Sequence, residues 1–141
     1  MNTKKILLPT LLLMTCNIVL ADFPAKLAEI YYPATIHDFH IKIKVPEIAE
    51  YNQEVPIVIE SLQHPSLNSR TEEVSFYIDN KPNVAVATYK LSPVSIADGL
   101  SSRIRIPYGK NTIYAIARLS NGDVIGGQVD IKAVHACNGG G

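Results

Sequence analysis

Residues 112–134 read TIYAIARLSNGDVIGGQVDIKAV, and this stretch decides the fold. Runs rich in β-branched, aromatic and other apolar residues flank the pair Asn121-Gly122, in which both residues tolerate a positive φ. Such a pair between two strand-like runs is the strongest short-range signal for a β-hairpin. We therefore predict two long strands, over residues 112–119 and 123–134, joined by a tight turn.

The sequence before this hairpin carries further strand patterns. Residues 40–45 read HIKIKV, so that Ile41, Ile43 and Val45 would share one face of a strand and the lysines the other. Comparable runs occupy residues 56–61, 74–79, 84–91 and 103–108, and turn-forming clusters lie at residues 51–53, 79–82 and 109–111.

This spacing predicts an all-β protein. We expect residues 40–134 to form an immunoglobulin-like antiparallel β-sandwich of about seven strands, without the inter-sheet disulfide or the buried tryptophan of antibody domains. The segment before it, residues 22–39, shows a different period, because its larger apolar residues recur near helical spacing and Pro33 cannot continue a helix. We expect a short helical segment there, with an apolar face formed by Phe23, Leu27, Ile30 and Tyr31.

The first 21 residues have the pattern of a secretory signal peptide. Lys4 and Lys5 precede an apolar run, and cleavage would follow Ala21. A competing interpretation is a lipoprotein cleavage box that ends at Cys16, which would then be lipidated. We favour cleavage after Ala21, because Met14 and the following threonine are larger than the residues that a lipoprotein site usually accepts.

Removal of residues 1–21 would leave 120 of the 141 residues, enough for one domain with a single core. Lys4 and Lys5 would be lost, leaving 11 basic against 13 acidic residues and a net charge near −2. This balance gives no electrostatic basis for binding nucleic acid or an anionic membrane. Cys137 would be the single remaining cysteine, so the fold would depend on its apolar core and not on a disulfide within the chain.

Histidines are the first candidates for a functional site. His37 and His40 would share a face in a helix, as a metal-binding pair does, but the strand period begins near His40 and we favour a solvated loop pair. His64 has no visible partner. The sequence contains no cysteine–histidine cluster at zinc spacing, no phosphate loop and no nucleophile elbow. We therefore expect no metal site, no cofactor and no enzymatic activity of the chain by itself.

Arginines and tyrosines give weaker signals. Arg103 and Arg105 alternate with isoleucines and would form either a basic stripe for an anionic ligand or, as we favour, the polar face of a half-buried strand. Packing in the core or across strands mostly accounts for six tyrosines, which are Tyr31, Tyr32, Tyr77, Tyr89, Tyr108 and Tyr114.

Residues 135–141, HACNGGG, form a predicted tail that carries Cys137. Extended at about 3.3 Å per residue, the tail would hold this thiol about 10 Å beyond Val134. A thin, conformationally free tail suits entry into a pocket of another protein. The residues expected to give it this freedom are Ala136, Asn138, Gly139, Gly140 and Gly141. His135 is a candidate modulator of the thiol, because side chains at i and i+2 of an extended chain point to the same side.

The sequence resembles the SoxY family, the carrier proteins of the periplasmic thiosulfate-oxidising Sox system. The resemblance covers residues 41–137 and is carried by IKVPEIAE, VPIVIES, SFYIDNKPNVAVATYKLSP, SSRIRIPYGKNTIYAIARLSNGD and VDIKAVHACNGGG. It implies an immunoglobulin-like fold, a periplasmic location, a heterodimer with the sandwich protein SoxZ, and sulfur intermediates bound covalently to Cys137. It also implies three enzyme partners: a c-type cytochrome complex, a sulfate-releasing hydrolase and, in some systems, a sulfane dehydrogenase.

The tail departs from the family's usual Gly-Gly-Cys-Gly-Gly. His135 and Ala136 precede the cysteine, and Asn138 adds bulk after it, which restricts the backbone beside the sulfur. If the flexible form is preferred by the partners, exchange of His135 for glycine should keep or raise activity. Two other interpretations of Cys137 stay open: an exported binding module that forms an intermolecular disulfide, and a redox-sensing tail.

Overall fold

The computed structural model describes residues 23–38, 41–60, 69–92 and 99–135. The predicted signal peptide with Cys16, the side chains of His40 and His64, and the tail residues 136–141 with Cys137 lie outside these ranges. The described residues contain one helix and nine strands: α1 (Ala25–Tyr31), β1 (Ile36–Asp38), β2 (Ile43–Lys44), β3 (Ile48–Glu50), β4 (Glu54–Ile59), β5 (Thr71–Ile78), β6 (Ala87–Lys90), β7 (Leu100–Arg105), β8 (Gly109–Leu119) and β9 (Val124–Val134).

The strands form two sheets that pack as a sandwich. The larger sheet has the order β1-β9-β8-β5-β6, with β3 also paired to β9, and the smaller sheet has the order β2-β4-β7. The predicted immunoglobulin-like β-sandwich is thus confirmed. The described residues form nine strands where about seven were expected, because β1 and β3 are additional.

The predicted hairpin is present as β8 and β9. These strands pair from Gly109 opposite Ala133 to Arg118 opposite Val124. The amide of Gly122 donates to the carbonyl of Leu119 at 3.0 Å, which closes the turn. Of the pair Asn121-Gly122, only Gly122 has a positive φ, as in a three-residue loop built on a type I turn.

The two additional strands pair in parallel, whereas the other strand pairs of the described residues are antiparallel. Both lie on the edge of β9 that β8 leaves open: β1 pairs with residues 124–126, and β3 pairs with residues 132–134. Each has only three residues, too few for an alternating pattern to be visible in the sequence. They satisfy backbone groups of β9 that would otherwise form an unpaired sheet edge.

The main core lies between the sheets. Alternate residues of β5, β8 and β9 point into it, with Phe76 and Ile113 fully buried, and Ile57 and Ile59 of β4 face them from the smaller sheet. The hydroxyl groups of Tyr89 and Ser102 form a hydrogen bond that joins β6 to β7 across the two sheets. Ile41 is buried in this core while the lysines beside it are exposed, as the alternation of residues 40–45 predicts.

The outer face of the larger sheet carries a second apolar cluster, beneath α1. Leu27 and Tyr31 of the helix pack on Tyr77, Tyr114 and neighbouring residues of the sheet. The hydroxyl groups of Tyr31 and Tyr77 lie 3.0 Å apart, and burial raises the pKa of Tyr31 well above its usual value. The predicted helical segment is therefore present and forms a covering layer. Ile30, which we expected on its apolar face, is 42% exposed.

Substitution at the helix tests this outer layer. Leu27 is fully buried, so we expect Leu27→Ala to lower the free energy of unfolding by about 2–5 kcal/mol. Ile30→Ala, on the exposed side of the same helix, should cost about 1 kcal/mol or less. Chemical denaturation of both variants measures the difference. Equal losses would contradict the packing of α1 through Leu27.

Candidate functional site

The candidate site is the point where β9 ends and the predicted tail begins. Both neighbours of β9 hold its last residues: Ala133 lies opposite Gly109 of β8, and Val134 lies beside Glu50 of β3. The amide of Tyr51, directly after β3, donates to the carbonyl of Val134 at 2.7 Å. The end of β9 is therefore fixed on both sides.

Three aromatic rings meet at this point, and we call Tyr51, Tyr108 and His135 the tail-root cluster. The imidazole of His135 stacks on the ring of Tyr108, with centroids 4.6 Å apart and an interplanar angle of 28°. The ring of Tyr51 meets the imidazole edge to face at 5.4 Å and 80°, and meets Tyr108 at 6.2 Å and 89°. Each of these separations lies in the range of favourable aromatic pairs.

A buried asparagine holds the bend that presents Tyr108. The side-chain amide of Asn111 donates to the carbonyl of Pro107 at 2.7 Å and to that of Gly109 at 3.0 Å. Gly109 has φ +98°, a conformation that residues with a side chain rarely adopt. The bend thus depends on Asn111 and Gly109, and it directs Tyr108, the residue before Gly109, toward His135.

The turn after β3 places Tyr51. Asn52 has φ 66°, the left-handed region in which asparagine is one of the few tolerated side chains. The amide of Gln53 donates to the carbonyl of Glu50 at 3.2 Å, which closes the turn. Because β3 runs parallel to β9 in register, the residue after each strand lies beside the other, which brings Tyr51 next to His135.

The tail-root cluster is exposed. Tyr108 is 60% and Tyr51 45% accessible, so of the two kinds of packing expected for Tyr108, packing in the core is wrong, and the ring instead stacks on His135 beside the neighbouring strand. Packing in the core is also wrong for Tyr32, which is 80% exposed, whereas Tyr31, Tyr77 and Tyr114 are buried. Sequence reasoning missed the cluster because its members are far apart in the chain. The pairing of β3 with β9, which joins them, leaves no periodic signal.

An open groove of about 490 Å³ lies on the outer face of the larger sheet, near the same end. Lys110 and Lys132 face each other across β8 and β9, and Thr112 donates a hydrogen bond to Asp130 at 2.8 Å. Asp79 and Glu47 complete a lining in which carboxylates outnumber lysines. The groove therefore has no excess of positive charge with which to attract an anion.

The remaining sequence-predicted residues are apart from the tail-root cluster. Arg103 and Arg105 are exposed on β7 while Ile104 between them is buried, which confirms the polar face of a half-buried strand. His37 is exposed on β1. Among the described residues no three His, Cys, Asp or Glu side chains are grouped to hold a metal ion. No helix in the described ranges is long and apolar enough to cross a membrane.

Fold and site together define a class: a β-sandwich protein whose last strand, fixed on both edges, continues into a cysteine-bearing segment. Residues 28–137 match the family described as sulfur oxidation protein SoxY, and the chain belongs to that family. The match includes Cys137. Family membership implies a carrier protein of sulfur oxidation rather than a catalyst.

Solved structures resemble this chain in fold. Superoxide reductase (neelaredoxin) from Ignicoccus hospitalis is 16% identical with a TM-score of 0.54, covering 66% of this chain and 79% of its own. A putative superoxide reductase from Thermotoga maritima is 14% identical with a TM-score of 0.55, covering 72% and 95%. At these identities the likeness shows the sandwich fold alone. Comparison with curated proteins by sequence finds no match.

The turn that places Tyr51 can be tested at Asn52. A β-branched residue is strained at φ 66°, so Asn52→Val should lower the free energy of unfolding by about 1–2 kcal/mol. It should also speed hydrogen exchange of the Tyr51 amide, which is bonded to Val134. Asn52→Gly is the matched control and should have little effect on either measurement. An Asn52→Val variant as stable as the parent would refute this geometry.

Proposed function

We propose that the chain is a periplasmic sulfur carrier that holds thiosulfate-derived groups on Cys137 and presents them to the enzymes of a Sox system. The single observation that carries the proposal is the family match, which extends through Cys137. The geometry of the described residues supports it, because β9 ends at a fixed point two residues before Ala136. A carrier needs such a stable base and a reactive group held outside it.

The loading step is an oxidation. The sulfur of Cys137 and the outer sulfur of thiosulfate form an S–S bond, the thiol proton is released, and two electrons leave to the c-type cytochrome complex. The product is a cysteine S-thiosulfonate, with one negative charge at its sulfonate end. The thiolate is the nucleophilic form of cysteine. The partner's site would supply the charge that favours this form.

The unloading step is a hydrolysis. Water attacks the sulfonate sulfur of the adduct, the bond between this sulfur and the sulfane sulfur breaks, and sulfate and a proton are released. Cys137 keeps one additional sulfur as a persulfide, which a sulfane dehydrogenase would oxidise in systems that contain one. The hydrolase and the dehydrogenase act on the same residue in turn, so the carrier is a substrate at every step and supplies no catalytic group.

A SoxZ-like sandwich protein is the proposed stable partner, as a heterodimer. Family membership supports this assignment. The overall charge balance of the chain favours association through shape and apolar contact over strong electrostatic steering. The enzymes would meet the heterodimer transiently, each taking the Cys137 segment into its own site.

Cys137→Ser tests the carrier role. We expect the parent chain, incubated with thiosulfate and the cytochrome complex, to gain the mass of a thiosulfonate adduct, and Cys137→Ser to gain none. Cys16→Ser is the matched control and should load like the parent. Folding should be unaffected by either change, because one residue lies in the predicted signal peptide and the other in the predicted terminal tail, and chain ends contribute little packing. Intact-mass spectrometry and circular dichroism provide the two measurements.

The same experiment separates the competing function. A binding module joined through an intermolecular disulfide would give only a dimer mass that a reductant removes, and no thiosulfate-dependent adduct. That result, or an adduct that persists in Cys137→Ser, would reject the carrier assignment.

A further inference from the structure

We infer that the tail-root cluster is an aromatic clamp that anchors the sulfur-carrying segment at His135, with Tyr51 and Tyr108 as positioning residues for Cys137. The contacts that form the clamp all join residues that the structure describes. Its consequence for sulfur transfer rests on the proposed function above.

His135 is the first residue beyond β9. It is held in place by a hydrogen bond to the peptide before it and by contacts of its imidazole ring. The hydrogen bond from the Tyr51 amide to the Val134 carbonyl fixes the preceding peptide at 2.7 Å. The imidazole then stacks on Tyr108 and meets the edge of Tyr51. Each aromatic pair should favour the anchored form over a released one roughly two- to tenfold.

The clamp shortens the reach of the thiol. Measured from Val134, three residues of extended chain give Cys137 a reach of about 10 Å. With His135 anchored, Cys137 is two residue steps from the fixed point instead of three, and the reach falls to about 7 Å. A partner enzyme must then bring its reacting centre close to the exposed rings of Tyr51 and Tyr108. These two rings would lie at the rim of that contact.

Core stability does not explain the two tyrosine rings. Tyr108 and Tyr51 belong to neither apolar core cluster and are largely accessible. Yet two separate devices of the backbone, the bend held by Asn111 and the turn at Asn52, direct them to one residue. Exposed aromatic rings that converge on a chain segment are suited to holding that segment.

A nitroxide label on Cys137 tests the clamp. In the full chain with Cys16→Ser, a methanethiosulfonate nitroxide reacts at Cys137 alone, and electron paramagnetic resonance reports its motion. Tyr108→Ala and His135→Gly should shift the label from slow to fast motion, roughly two- to tenfold in the ratio of the two components. Tyr108→Phe keeps the ring and should resemble the parent. Tyr32→Ala, which removes an exposed tyrosine on the helix side, is the matched control.

The clamp also reverses the expectation from sequence that glycine at position 135 would be neutral or beneficial. Tyr108→Ala and His135→Gly should lower the rate at which the cytochrome complex and thiosulfate load Cys137, roughly two- to tenfold at limiting carrier concentration. Their reaction with iodoacetamide, which needs no docking, should change less than about twofold. Tyr108→Phe should restore the parental loading rate.

Label motion and loading rate test different parts of the proposal. Label motion that is unchanged by Tyr108→Ala overturns the clamp. A freed label with an unchanged loading rate overturns the positioning role. If the parent chain forms no adduct while the label responds as expected, the proposed function is wrong and the clamp stands as the anchor of this segment.

Discussion

Pairing of β9 along both of its edges is the constraint on which the rest of the structure depends. β8 covers one edge over ten register pairs, and the short strands β1 and β3 cover the two ends of the other. Without β1 and β3 the open edge would expose unpaired amide and carbonyl groups beside the tail. Their pairing also determines what lies at each end of β9. β1 brings α1 to the first end, and β3 brings Tyr51 of the tail-root cluster to the last end.

Glycine in the middle of β9 allows both layers to approach it. A Cβ on Gly126 would lie 2.8–2.9 Å from Phe23, Ile116 and Ile36, which belong to the outer cluster or its margin. A Cβ on Gly127 would lie 2.8 Å from the carbonyl oxygen of Ile41 on the inner side. At Gly126 and Gly127, where β9 is covered on both faces, there is no space for side chains. The residues nearer the end of the strand do carry them. This arrangement gives the tail a stable base without any disulfide among the described residues.

Sequence reasoning found the parts of the fold that have a period. The β8–β9 hairpin, the alternation at Ile41 and Ile43, and the helical spacing of Leu27 and Tyr31 are all written in local patterns, and the structure contains each. β1 and β3 are absent from that prediction because three residues between breakers carry no period, and only the free edge of β9 selects them.

The places of Tyr51 and Tyr108 in the chain explain why the site was harder to predict than the fold. Tyr51 lies in a turn and Tyr108 at a bend, and both appear in the sequence as ordinary loop or strand tyrosines. Their meeting with His135 depends on two registers. That of β8 with β9 follows from the hairpin, whereas that of β3 with β9 joins distant residues, and local propensity does not determine it. Composition alone identified Cys137 as a candidate, because it is the cysteine that would remain after the predicted cleavage. Composition did not predict the cluster of rings at His135.

The anchor at His135 is weak compared with the contacts that hold a protein complex together. An aromatic pair contributes about 0.5–1.5 kcal/mol, so the clamp formed by Tyr51 and Tyr108 is small beside the roughly 8 kcal/mol of a micromolar association. The clamp therefore adds little to the affinity for a docking enzyme, and its effect is to limit how far Cys137 can reach. His135 and Ala136 restrict backbone φ more than glycine would at these two positions, so the residue types and the two rings limit the segment in the same direction.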